Sequence, residues 1–336
     1  MELQAIWFYI WGLLWAVFFM TGGFDLGIGA LYPVLGKSDT EKRMMITALG
    51  PLWDGNEVWL ITAGGVTFAA FPILYAAMFS TLYTPLMLIL FALIIRGVSF
   101  EFRDQIDNPN WRMLWDGCIF IGSTLPAILF GVAFANIFAG NPLDGGLFSL
   151  ITPYTLLGGI LFQVMFLVHG ALWLCIKTEG DLQDRTVKAT RRLWPAELLV
   201  AALFLVASWF ATPLYDNYLK NPMLFLVIIV TVGLLVAVRM FLAKGAYFKA
   251  WFASAGTIAG ATFFGVIGLF PTLFPPTYQN DLALTAYNAA SSPLTLKIML
   301  VVVLIFIPMV IAYQTWAYNL FKTKVTPEDM DHGEAY

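Results

Sequence analysis

"LWDGNEVWLITAGG" (residues 52–65) places Asp54, Asn56 and Glu57 within four positions and then runs into Trp59, Leu60 and Ile61. The surrounding chain is apolar: 60% of its 336 residues are hydrophobic and 12% are charged, with a mean hydropathy of +0.79. Soluble domains carry about 25% charged residues. Stretches this poor in charge have no polar face to offer water, and runs of about 20 apolar residues cross a bilayer as helices that satisfy their own backbone groups. The chain therefore reads as an all-α integral membrane protein. The stretch at 52–65 is a membrane segment carrying groups that are costly in lipid.

Nine spans are expected, over 6–35, 48–70, 74–95, 114–138, 152–176, 193–212, 222–242, 251–271 and 296–321. The first lacks a basic leader and a small-residue cleavage site, so it reads as a retained span rather than a signal peptide. Basic residues support the count. The loops at 36–47, 96–113 and 177–192, the 239–250 region and the tail hold sixteen of the eighteen Lys and Arg, leaving only Lys220 and Lys297 on the other side. Basic loops face the cytoplasm, which puts the N-terminus outside and the C-terminus inside.

The whole of 1–336 reads as one polytopic domain. A weak internal echo (GG at 22–23 and 158–159, "FGVAFANIF" at 130–138 against "FGVIGLF" at 264–270) suggests two parallel four-helix bundles, about 1–140 and 150–272. A final helix at 296–321 and a cytoplasmic tail at 322–336 follow. Cys118 and Cys175 form no paired motif, so neither a disulfide framework nor a zinc site is expected. No basic run suggests nucleic acid.

Charges inside a membrane face the bundle interior and mark function by default. Asp25 falls in the inner part of the first span. Asp54 lies about 10 Å into the second, and Glu57 is one turn deeper on the same face. Arg96, Glu101 and Arg103 arrive at the inner surface from the third. Two readings follow: a column of carboxylates serving as a proton path, or an ion-pair lock joining the first three spans through Arg96. Trp53 and Trp59 are packing residues or cavity lining. Gly23, Gly27, Gly64 and Gly65 offer small surfaces for close helix contact. His169 lies mid-span and reads as a hydrogen-bonded interhelical residue or a low-ranking haem ligand, since haem iron takes His, Met or Cys. The other histidine, His332, is in the tail.

"GGFDLGIGAL" (22–31), "GPLWDGNEVWLITAGGVTFAAFP" (50–72), "RGVSFEFR" (96–103) and "WDGCIFIGSTLPA" (115–127) resemble subunit II of bacterial cytochrome bd-type quinol oxidases. The resemblance implies a haem-poor subunit, inactive alone, in the bacterial cytoplasmic membrane. Its partner would be subunit I, which holds two haems b and one haem d, with small single-helix accessory subunits and membrane lipid as further partners. The complex would oxidise quinol, reduce dioxygen to water and contribute to the proton motive force; a quinone would be substrate or structural component. The resemblance also implies a proton route through Asp25 and Asp54 and an oxygen access from lipid beside Trp59. At Glu57 an uncharged amide is also found in relatives. A proton-coupled secondary transporter using Asp25, Asp54 and Glu57 is the alternative, and an assembly scaffold is a third reading.

Overall fold

The structure, a computed structural model, describes residues 2–140, 147–276 and 282–331; His332 lies outside them. Its helices are α1 (Leu3–Leu35), α2 (Asp39–Thr47), α3 (Trp53–Ala70), α4 (Pro72–Thr81), α5 (Tyr83–Phe102), α6 (Pro109–Ala139) and α7 (Pro153–Lys177). They continue with α8 (Gly180–Ala211), α9 (Tyr215–Lys220), α10 (Phe225–Ala243), α11 (Tyr247–Leu269), α12 (Pro293–Leu320) and α13 (Pro327–Asp331). A two-stranded antiparallel ribbon, β1 (Thr272–Phe274) with β2 (Leu284–Thr285), lies between α11 and α12.

Eight of these helices (α1, α5, α6, α7, α8, α10, α11 and α12) are long and apolar enough to cross a membrane. The segment expected over 48–70 forms α3, which has 18 residues and is not among the eight, because Asp54, Asn56 and Glu57 occupy its first turns. Two expectations need correction. The span expected over 74–95 is broken at Leu82 into α4 and α5. Pro85 brings no N–H and its ring crowds the carbonyl of Thr81, which weakens the helix at this turn; Pro126 and Pro195, by contrast, are carried inside continuous helices. The loop expected at 177–192 is helical, because α8 runs unbroken from Gly180 to Ala211; its first turns carry enough Arg and Lys to extend into water.

Helix starts follow local chemistry. Ser38 and Glu41 form a capping box for α2, as Thr152 and Thr155 do for α7, each satisfying free N–H groups of a first turn. Prolines at the starts of α6, α7 and α12 occupy positions whose N–H would be unpaired anyway.

α1 is the axis of the bundle, packed on α3, α6, α7 and α11. Its approach to α7 depends on small residues: a Cβ on Gly27 would lie 1.8 Å from the Phe166 carbonyl oxygen, and one on Gly23 would lie 2.7 Å from the Phe166 ring. The close contact expected of this pair is present. Gly64 and Gly65 differ, for nothing lies within 4 Å of either added Cβ; they border an open groove between α3 and the α4–α5 pair. Aromatic rings fill the space around α1, with Trp15, Phe18, Phe19, Phe130 and Phe134 in mutual edge-on or stacked contact. One end of the bundle gathers the basic segments, where the Arg185 guanidinium donates to the Leu35 carbonyl and to Glu41. At the opposite end the Trp7 indole donates to Leu296 O at 3.0 Å.

Candidate functional site

Asp25 is fully buried on α1, ten residues before the helix ends at Leu35 and so about 15 Å from its basic end. Asn56, in the second turn of α3, donates through Nδ2 to Asp25 Oδ2 at 2.8 Å, and Tyr318 of α12 donates its hydroxyl to Asn56 Oδ1 at 2.8 Å. Three helices thus meet in one polar chain. The other oxygen of the carboxylate, Asp25 Oδ1, has no hydrogen-bond partner among the described residues. Buried polar groups are satisfied by protein or by ordered water, and this oxygen is the one open position of the carboxylate.

Arg96 of α5 is buried, with 1% of its side chain exposed, and its Nη1 pairs with Glu57 Oε1 at 2.6 Å. The guanidinium lies 5.2 Å from the Phe100 ring centre and 5.9 Å from that of Trp53, a cation–π setting. Its Nε and Nη2 have no protein partner among the described residues. Sequence spacing put Arg96 against both Asp25 and the α3 carboxylates; the structure gives it Glu57 alone as an ion-pair partner. Asp54 is exposed on α3, and its side chain makes no hydrogen bond or ion pair among the described residues.

Arg103, grouped with Arg96 in the sequence reading, belongs to a separate cluster at the basic end. It reaches Asp39, Asp104 and Asp116, each at 2.7 Å. Lys42 holds the second oxygen of Asp116, also at 2.7 Å. Burial would raise the Asp39 carboxyl, but its bond to Arg103 and the charges of Arg103, Arg112 and Arg43 outweigh this and hold it below the usual carboxylate range. Glu41 is held low in the same way: burial opposes it, and the Lys37 amide and Arg185 prevail. Glu101 is exposed and makes no ion pair among the described residues.

Trp59 is both packing residue and cavity wall. Its Nε1 donates to Gln314 Oε1 at 2.9 Å, Gln314 Nε2 donates to Gly55 O at 3.0 Å, and its ring borders a cavity beside α12. His169 is an interhelical hydrogen-bonding residue. Nε2 lies 2.9 Å from the Met20 carbonyl oxygen and Nδ1 lies 3.1 Å from Ser254 Oγ. A carbonyl only accepts, so Nε2 carries the proton and Nδ1 accepts from the serine hydroxyl. Both nitrogens are committed, and His169 does not fit an axial ligand to haem iron. Among the described residues no cluster of His, Cys, Asp or Glu could hold a metal.

The sequence reading overlooked Gln314, Tyr318 and Glu197. Glu197 is buried on α8 with Oε2 unpartnered among the described residues, and it borders a small apolar cavity of about 70 Å³. Its signal was a lone acid in "LWPAELLVAALF" (193–204). Starting the span at 193 put that acid at a surface, whereas α8 carries it inside.

Fold and site define a multi-pass helical membrane protein with carboxylates at its helix junctions. The profile of the family described as "Cytochrome bd terminal oxidase subunit II" matches residues 3–321. Similar proteins include "Probable cytochrome oxidase subunit 2" of Haemophilus influenzae, 36% identical over 94% of this chain and 93% of that one. "Cytochrome bd ubiquinol oxidase subunit 2" of Bacillus subtilis is 34% identical over 98% of both chains. The solved structure of bd oxidase from Geobacillus thermodenitrificans superposes with a TM-score of 0.80 at 18% identity, covering 96% of this chain and 99% of that chain. The chain belongs to the cytochrome bd terminal oxidase subunit II family.

Proposed function

We propose that this chain works as the haem-poor half of a quinol:oxygen oxidoreductase in the bacterial cytoplasmic membrane. It pairs with a haem-bearing subunit I and supplies part of the route by which protons reach the buried site of dioxygen reduction. Its relatives' names support the reaction class. The two haems b and the haem d belong to the partner on this reading, which the committed nitrogens of His169 favour. α3 is the ninth crossing, completing the first of two four-helix bundles, and the basic end is cytoplasmic.

The observation that carries the proton route is the division of labour between two carboxylates. Glu57 is neutralised by Arg96 at 2.6 Å, so it and Arg96 form the lock. Asp25 has no cation in contact; Asn56 fixes one oxygen and leaves the other open. A carboxyl with one oxygen anchored and one free can take a proton from water and pass it on without leaving its place. Asp54, exposed near the basic end of α3, is the point where the route meets water or the partner.

The test is quinol-driven oxygen uptake normalised to haem d. Asp25→Asn and Asp54→Asn each leave the complex assembled and haem-loaded but slow uptake by about tenfold or more, which is about 1.4 kcal/mol on the limiting barrier. Asp54→Glu retains most of the rate. Wild-type turnover in both Asn variants would assign the protons to the partner chain. The transporter reading has less support, since Glu57 is paired with Arg96 and Asp25 is anchored by Asn56, so neither carboxylate is left as a free substrate contact.

A further inference from the structure

α12 is hydrogen-bonded to the bundle at its two ends and only partly buried between them, where Val303 and Ile307 touch the core. At the outer end the Trp7 indole binds Leu296 O. At the basic end Gln314 and Tyr318 bind α3, while Lys177 donates to the carbonyls of Phe321 and Thr323. Leu296 is the single fully buried residue of the helix. Between the two anchors lies a cavity of about 720 Å³ walled by α1, α3, α7, α11 and α12, within the ~300–1,000 Å³ typical of small-molecule pockets. Ile10, Leu14, Val303 and Ile307 line its depth, and Asn319 and Lys322 line its basic rim. Lys322 is exposed and has no ion pair among the described residues.

We propose that this gap is a binding site for one anionic phospholipid, with its phosphate at Lys322 and its acyl chains between α12 and α1. The polarity runs the right way for an amphiphile of the leaflet at the basic end: cation and amide at the rim, aliphatic side chains in depth. An empty apolar gap inside a membrane forfeits dispersion contacts on every wall, and water finds too few polar partners there to fill it. A Lys near a membrane surface attracts anionic lipid by about 1 kcal/mol, which is roughly fivefold in affinity. The bound lipid would cover Trp59 and Tyr318 and so shield the Asn56–Asp25 chain from the bilayer. This goes beyond the proton-route reading and does not depend on it.

The experiment uses the purified complex with its partner subunit, exchanged into phosphatidylglycerol or phosphatidylcholine nanodiscs and released for native mass spectrometry. Wild-type complex retains one phosphatidylglycerol more than Ile307→Trp, whose indole fills the cavity, and Val303→Phe shows the same loss. Lys322→Gln, a change on an exposed residue that leaves packing alone, lowers the preference for phosphatidylglycerol over phosphatidylcholine about fivefold. Equal lipid counts in wild type and both filled variants would overturn the site, as would a retained molecule with the mass of an isoprenoid quinone. An unchanged preference in Lys322→Gln would overturn the assigned headgroup contact.

Discussion

Asp25 and Glu57 carry the same functional group on adjoining helices, and the structure treats them oppositely. Glu57 meets a guanidinium that is itself 1% exposed, while Asp25 meets a neutral amide. Removing one member of a buried pair strands the other charge at about 3–5 kcal/mol. Arg96→Leu therefore lowers the yield of assembled complex, and adding Glu57→Gln restores it, because an amide tolerates the apolar neighbour that a carboxylate does not. Normal yield of Arg96→Leu alone, measured as haem d per unit of membrane protein, would show that the pair contributes nothing. The residues in "WDGNEV" (53–58) were legible as polar groups at the start of an apolar helix. Which of them meets Arg96 was not, because Asp54 and Glu57 share a face, Asn56 lies on the other side of the helix, and only the placement of α1, α5 and α12 decides what each one meets.

At the scale of the element, the crossing of α1 and α7 depends on backbone contact. A Cβ on Gly27 would overlap the Phe166 carbonyl at 1.8 Å, and one on Gly170 would come within 2.6 Å of the Ile28 nitrogen. Backbone cannot swing aside as a side-chain tip can, so Gly27→Ala drives two helices apart and sharply lowers the thermal midpoint of the solubilised complex. Gly233→Ala on α10 is the control: nothing lies within 4 Å of its added Cβ, and the exchange leaves the midpoint unchanged or slightly higher. Similar midpoints for the two variants would mean that α1 and α7 are not in backbone contact. At the basic end, α2 is joined to α5 and α6 by the cluster of Asp39, Arg103, Asp104 and Asp116. Asp39 and Glu41 titrate below their ordinary range in the folded chain. The unfolded chain therefore binds protons first, and the stability these groups contribute is present at neutral pH and lost as pH falls below about 4. Thermal midpoints recorded from pH 7 to pH 3 should fall at the acid end, and less steeply in Asp39→Asn/Glu41→Gln. Parallel curves would exclude the cluster as the cause.

For the whole molecule the question is orientation. The basic end holds Lys42, Arg43, Arg103, Arg112, Arg185 and Lys177; ion pairs join α2, α5, α6 and α8 there, Arg43 pairs with Asp104 at 3.6 Å, and Lys177 binds the segment that follows α12. The opposite end carries Leu282, which is 85% exposed. With the basic end cytoplasmic, Leu282→Cys reacts with an impermeant thiol reagent in intact cells, while Lys188→Cys on the solvated start of α8 reacts only after the membrane is opened. The reverse pattern would invert the molecule.

The sequence by itself determined the class, the membrane setting and the family, because these depend on composition, on apolar run length and on motif order, all of which are local to the chain. It also determined the small-residue contact at Gly23 and Gly27. The tertiary structure decided the rest: that Tyr318, 262 residues after Asn56, completes the Asp25 chain; that Arg96 closes on Glu57; that Gly64 and Gly65 border an open groove; and that Glu197 lies inside. The physical reason is common to all four. A side chain in an apolar helix shows nothing in its sequence of which neighbour it will meet, and among groups that cannot turn to water, the partner is whatever the packing of distant helices brings within hydrogen-bond reach.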